Sequence, residues 1–336
     1  MKKRYLAAGA GLGAVGALVA WKMLTRPGGV NWDDVSADIP HAGNSHFTDV
    51  DGLHIHYQQF GERTNPILLL VHGYTASTFV WKTVAPAFAE RGFQVIAPDL
   101  VGFGFSEKPA WFDYSIQSQA RVLSRFMNRL GVGRATVVGS SYGGAVAATL
   151  ALDYPERVEK LVLVGAVCND EPKRHPVLRL AKYPGMGEVI SAFLNDSPRF
   201  VRYRLKNTLA PENHHLITQE RIEGIRRPLR AKDAHHSVLM TARNWNACRV
   251  EEDAQYIQQP TLLVWGENDS IIPLAVGQRL HDSILNSRLV VFKHCGHIPQ
   301  EESPDNFVEV VSDFAKDRKG KIAVTEDENM RLDSVS

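Results

Sequence analysis

Residues 139–143 read Gly139-Ser140-Ser141-Tyr142-Gly143, a serine with a glycine two places away on either side. That spacing suits a chain reversing so tightly that side chains at the flanking positions would collide, which forces the central hydroxyl outward. A helix opening just after the serine would set unpaired N–H groups and a favourable dipole beside its oxygen. A hydroxyl presented in this way can attack a carbonyl carbon, given a base elsewhere in the chain to take its proton. Gly144 and Ala145 extend the run of small residues, as close packing of that helix on the preceding strand requires. The competing reading is a purely structural glycine turn, and a strand before with a helix after argues against it.

The flanking pattern supplies that context. Two short alternating runs within 47–60 surround Asp51-Gly52, a hairpin signal that starts the sheet with an antiparallel edge. Ile67 to Val71 is a continuous apolar run, as a strand buried on both faces needs. Helix-like stretches at Phe79 to Glu90, Ile116 to Leu130 and Ala145 to Leu152 then alternate with strand-like ones at Phe93 to Ala97, Ala135 to Val138 and Leu161 to Val164. Such alternation implies right-handed crossovers and a mostly parallel α/β sheet with helices on both faces. It stops at about Cys168 and resumes at Thr261 to Trp265, followed by a helix at Leu274 to Leu285, a strand at Leu289 to Phe292 and a helix at Asp305 to Phe314. The interval carries helix-like pieces at Pro198 to Leu209 and Ile217 to Ile225.

Four further stretches, taken with the serine turn, resemble the α/β-hydrolase family over nearly all of His46 to Phe314. His72-Gly73-Tyr74 follows one strand and Pro98-Asp99-Leu100-Val101-Gly102-Phe103-Gly104 follows the next. Trp265-Gly266-Glu267-Asn268-Asp269 and His294-Cys295-Gly296-His297-Ile298-Pro299 occupy the places of the family's late acid and histidine loops. The resemblance implies an eight-stranded-type sheet with a helical cap, and a catalytic triad of Ser141, Asp269 and His297 in the family's chain order. It also implies an oxyanion hole from the backbone N–H groups of Tyr74 and Tyr142. In that scheme Asp269 accepts the imidazole Nδ1–H and His297 acts as base. Glu267 competes locally with Asp269, Asp170 is the family's alternative acid position, and His294 is the nearest decoy for His297. Activity is expected to fall below about pH 6, since an ordinary imidazole has a pKa of about 6.5.

Composition sets the remaining bounds. The 336 residues carry 38 Lys+Arg and 37 Asp+Glu, so no global field favours nucleic acid. Three cysteines, Cys168, Cys248 and Cys295, match no Cys/His metal pattern, and the expected chemistry needs neither metal nor cofactor. The expected division is an anchor or signal segment at 1–26, a linker at 27–45, a hydrolase core at 46–167 and 251–316, a cap at 168–250 and a disordered tail at 317–336. Lys2, Lys3 and Arg4 precede an uncharged stretch from Tyr5 to Trp21, followed by Lys22 and Arg26. The preferred reading is an uncleaved membrane helix with the catalytic domain outside the cytoplasm, the alternative being secretion after signal cleavage. Cys168 to Trp245 holds 14 Lys/Arg against 8 Asp/Glu, a net +6. Either the cap meets a lipid surface or anionic substrate, or this is a solvated helical face.

For function, the sequence ranks hydrolysis of a small-molecule carboxylic ester first, with a lipid such as a monoacylglycerol suited to a membrane-anchored enzyme. A C–C bond hydrolase of ring-cleavage products stands second, because such family members typically carry Trp after the histidine and Ile298 is found here. A non-catalytic ligand-binding member of the same fold is the reading from another class. Nothing in the sequence fixes an oligomeric state.

Overall fold

The structure, a computed structural model, describes residues 29–169, Tyr183, Gly187 and 197–317. Its sheet comprises β1 (Ser45–Val50), β2 (Leu53–Phe60), β3 (Ile67–Val71), β4 (Gln94–Pro98), β5 (Ala135–Ser140), β6 (Val158–Val164), β7 (Thr261–Gly266) and β8 (Ser287–Phe292). The spatial order is β1-β2-β4-β3-β5-β6-β7-β8. β2 pairs antiparallel with both β1 and β4, and the pairs from β4 through β8 are parallel. The Asp51-Gly52 hairpin is present, with both residues at positive φ.

The central strands are apolar throughout because helices cover both faces. Leu68 and Leu70 of β3 join Val95, Val138, Val162 and Leu262 under α1 (Val84–Glu90) and α9 (Pro304–Ala315). Leu69 and Val71 point the other way, into the layer of α2 (Ile116–Arg129), α3 (Tyr142–Asp153) and α8 (Leu274–Ser283). The helix expected over Phe79 to Glu90 divides into a 3₁₀ turn at Thr78–Trp81 and α1. Pro86 explains the break: it has no N–H for a bond back to residue 82, so it tolerates only the first turn of a helix.

The chain passes from β3 to β4 on one side and returns to β5 on the other. This reversal of strand order opens a crevice at the carboxyl ends of β3 and β5, where open α/β sheets bind ligands. Three helices lie over it, α4 (Pro198–Thr208), α5 (Gln219–Leu229) and α6 (Ala234–Asn244), and α7 (Cys248–Glu252) leads back to the core, where Arg249 pairs with Asp153 at the end of α3. Ser197 and Thr218 cap α4 and α5 through their side chains. The cap has a small apolar nucleus of its own, Val201, Leu205, Leu209, Ile217 and Ile222, with Ile298 packed against it. Polar contacts fasten it to the rest: Lys82 to Glu220, Arg221 to Glu301, and Ser237 Oγ to the Gly102 carbonyl.

None of the three cysteines forms a disulfide. No helix among the described residues is long and apolar enough to cross a membrane. The expected anchor at 1–26, the alternative acid Asp170 and nearly all of the expected tail lie outside the described residues.

Candidate active site

Ser141 sits between β5 and α3 with φ 54° and ψ −118°, a conformation a non-glycine residue adopts only under constraint. The neighbours supply that constraint. A Cβ on Gly139 would lie 2.4 Å from the Gly143 carbonyl oxygen, and one on Gly143 would lie 2.3 Å from that of Val71. Both positions therefore demand glycine, which is the physical content of the spacing in the sequence. The Ser141 N–H donates to Val164 O at 2.9 Å, and Ser141 O accepts from Gly144 and Val167. The hydroxyl projects into the crevice and lines its cavity.

Asp269 and His297 meet at the same place. His297 Nδ1 is 2.8 Å from Asp269 Oδ2, and both residues are buried. The other carboxylate oxygen accepts the backbone N–H groups of Ile271 and Ile272, each at 2.9 Å, so the loop fixes the acid before the histidine uses it. The His297 N–H donates to Thr208 O of the cap at 2.8 Å. His297 and Ser141 face one cavity, but Ser141 Oγ makes no hydrogen bond to a described residue. Catalytic contacts of this kind commonly close only when substrate binds. The decoys lie elsewhere: Glu267 and His294 are exposed.

The loop after β3 completes the floor. A Cβ on Gly73 would be 3.2 Å from Ser141 Cβ and 3.8 Å from its Oγ, so this loop touches the serine. Neither the Tyr74 nor the Tyr142 N–H has a partner among the described residues. Behind them Asp99 organises the loops, accepting from Thr78 N (2.7 Å), Phe105 N (2.8 Å) and His56 Nδ1 (2.7 Å). Burial works to raise the Asp99 carboxyl, yet the His56 and His72 rings and these donors hold it below the ordinary carboxylate range. His72 is pushed down by burial, and its Nε2 accepts the Leu100 N–H as a neutral ring does.

The cavity measures about 480 Å³, within the ~300–1,000 Å³ usual for small-molecule sites. Its walls are mainly apolar, with Val80, Leu205, Ile225, Val238 and Trp245 among them. Among the described residues two charged side chains line it, Arg204 and Glu301. Glu301 is paired with Arg221 at 2.7 Å. Arg204 Nη2 donates to Thr75 Oγ1 at 2.5 Å, and the guanidinium has no carboxylate partner among the described residues. Burial pulls its pKa down from the guanidinium range, with the Tyr74 hydroxyl opposing. Sequence reasoning counted Arg204 only as one of the cap's many cations, because no spacing distinguishes it from Arg199 or Arg202. No cluster of metal-ligating side chains occurs among the described residues.

Comparison with known proteins agrees with this architecture. A family model described as alpha/beta hydrolase fold matches residues 66–304. A hydrolase of unassigned function from Bacillus subtilis, YugF, is 31% identical over 270 residues, covering 80% of this chain and 96% of its own. The 2-hydroxy-6-oxo-2,4-heptadienoate hydrolase of Pseudomonas putida is 32% identical over 260 residues, covering 74% and 88%. Among solved structures, a meta-cleavage product hydrolase from Pseudomonas fluorescens superposes with a TM-score of 0.69 at 26% identity, covering 81% of this chain and 97% of that one.

Proposed function

The chain belongs to the α/β-hydrolase fold family and is a hydrolase, and on that premise we propose that it cleaves a C–C bond in a small keto acid through an acyl-Ser141 intermediate. The observation that carries this reading is Arg204, a cation without a carboxylate partner among the described residues, in the cavity that also holds Ser141 and His297. A buried cation left unpaired is costly, and an anionic group on the substrate offsets that cost. The relatives named for acting on hydroxy-oxo-dienoates act on molecules that carry such a carboxylate.

The steps follow from the geometry. The dienol is first ketonised, its 2-hydroxyl proton being lost and a proton added at C5 to give the 2,6-dioxo tautomer; Ser141 Oγ then attacks the C6 ketone carbon while His297 takes its proton, and Asp269 stabilises the resulting imidazolium. The oxyanion faces the N–H groups of Tyr74 and Tyr142, which have no partner among the described residues. Collapse breaks the C–C bond, and its electron pair passes into the conjugated carbonyl system of the leaving fragment, which His297 protonates. Water, activated by the same histidine, then hydrolyses the acyl-serine. A carbon leaving group departs only when its electrons are delocalised in this way, so the cation at Arg204 also favours the enolate as it forms.

A second reading, hydrolysis of a carboxylic ester, is favoured by Ile298 next to His297 and by the apolar walls. The sequence alone ranked it first, and Arg204 together with the relatives reverses that order. The purified protein should consume 2-hydroxy-6-oxohepta-2,4-dienoate with kcat/KM at least about tenfold above that for p-nitrophenyl esters, a difference of about 1.4 kcal/mol in transition-state stabilisation. Arg204→Gln should raise KM for the dienoate and spare KM for the neutral esters. Turnover of esters alone would restore the ester reading.

For location, the uncharged stretch from Tyr5 to Trp21 between basic flanks supports membrane attachment with the catalytic domain outside the cytoplasm. Membrane fractionation of the full chain beside one starting at Asn31 tests it, and recovery of both in the soluble fraction contradicts it.

A further inference from the structure

Thr75 lies in the left-handed region at φ 56°, next to Tyr74, whose N–H the proposed mechanism gives to the oxyanion. It is the one β-branched residue among the described non-glycine residues at positive φ. A second branch at Cβ makes that conformation especially unfavourable, so surrounding contacts must impose it. Two contacts involve its hydroxyl. Thr75 Oγ1 donates to the Tyr74 carbonyl oxygen at 2.7 Å and accepts from Arg204 Nη2 of α4 at 2.5 Å. A third contact holds the same loop from another cap helix, where the Tyr74 hydroxyl donates to Val238 O of α6 at 2.8 Å. The sequence separations are 129 residues for Arg204–Thr75 and 164 for Tyr74–Val238, so the cap grips the oxyanion loop directly.

We propose that Thr75 is a positioning residue through which the cap sets the oxyanion hole: Arg204 holds the Thr75 hydroxyl, which holds the carbonyl of the 74–75 peptide and so fixes the backbone of Tyr74, whose N–H, in the adjoining 73–74 peptide, serves the oxyanion. The transition-state donor is then in register only when α4 is seated on the core. This couples occupation of the cap side of the cavity to the chemistry at Ser141, because the guanidinium that steadies Thr75 also lines the cavity. Such a device acts on the rate of the chemical step more than on binding, since a donor misplaced by a fraction of an ångström loses its value in the transition state. The proposal rests on Ser141 being the nucleophile and holds for either bond cleaved.

The test uses the full chain with neutral reagents, so that charge recognition by Arg204 does not enter: p-nitrophenyl acetate turnover and the rate of Ser141 labelling by a fluorophosphonate. Thr75→Val keeps the shape and the β-branching and removes only the hydroxyl. Its kcat and labelling rate should fall about 10- to 100-fold with KM within about threefold. Thr75→Ser should regain most of the loss. Arg204→Gln should show a similar fall, and the double variant Thr75→Val with Arg204→Gln should be no slower than Thr75→Val alone, as two members of one chain of contacts require. Should Thr75→Val unfold, the Thr75→Ser and Arg204→Gln pair still decides: Arg204→Gln at the wild-type rate overturns the coupling. Undiminished kcat in Thr75→Val, or losses that multiply in the double variant, overturn it too. Wild-type protein that fails to label at Ser141 overturns the nucleophile reading and this proposal together, whereas labelled wild type with unaffected variants sinks the coupling alone.

Discussion

At the scale of single residues, the site depends on where side chains are missing as much as on where they are present. Gly143 carries the prediction: a methyl group there meets the Val71 carbonyl oxygen at 2.3 Å and that of His72 at 2.4 Å, both on the floor of the crevice. Gly143→Ala should therefore displace the Ser141 turn and lower stability by about 1–3 kcal/mol through overpacking, measured by denaturant unfolding. An unchanged unfolding midpoint with full activity would show that the turn is less constrained than its φ implies. The small residues around Ser141 were legible in the sequence because steric exclusion acts between near neighbours. Asp269 and His297 came through the likeness of their loops to a family pattern, and the structure seats them 2.8 Å apart. Arg204 and Thr75 were not legible. Their relation is a contact across 129 residues, and neither residue type nor spacing announces it.

At the scale of elements, alternation of apolar runs with helical periodicity was enough to read a mostly parallel sheet with an antiparallel start. The division of the Phe79 to Glu90 stretch turned on one proline. What periodicity leaves out is how loops are held, and here one buried carboxylate does most of it. Asp99, at the end of β4, joins β2 through His56, the 3₁₀ turn through Thr78 N, and the following loop through Phe105 N. Its folded pKa lies below its unfolded value, so its contribution is present above the unfolded pKa of about 3.9 and is lost as pH falls through the folded one. Asp99→Asn should cost about 3 kcal/mol at neutral pH, and the gap from wild type should close only below about pH 4. Thermal unfolding from pH 3 to 8 checks this, and a gap that stays constant over the whole range would mean that Asp99 acts by shape and not by charge.

At the scale of the whole molecule, the cap roofs a cavity whose floor is the sheet's carboxyl edge, and its own apolar nucleus is small. The cap is seated on the core by apolar side chains that join the main core, Leu229, Val238 and Trp245, and by polar contacts, among them Arg221 with Glu301, four residues beyond His297. Burial raises the Glu301 carboxyl and Arg221 opposes that shift. Arg221→Met removes the cation and leaves a buried acid behind, so it should lower stability by about 3 kcal/mol and raise KM as the roof loosens. Replacing both, Arg221→Met with Glu301→Leu, should recover much of that stability. If the single variant matches wild type in urea unfolding and in KM, the pair does not hold the cap.

Cleavage of either bond requires Ser141 to carry the acyl group. Rapid-quench mass spectrometry of the protein mixed with the dienoate, and separately with p-nitrophenyl acetate, reads this directly. The predicted result is an acyl mass on the peptide containing Ser141, absent from a folded Ser141→Ala variant whose turnover has fallen by several orders of magnitude. Acylation at another residue, or turnover by Ser141→Ala near the wild-type rate, would contradict it.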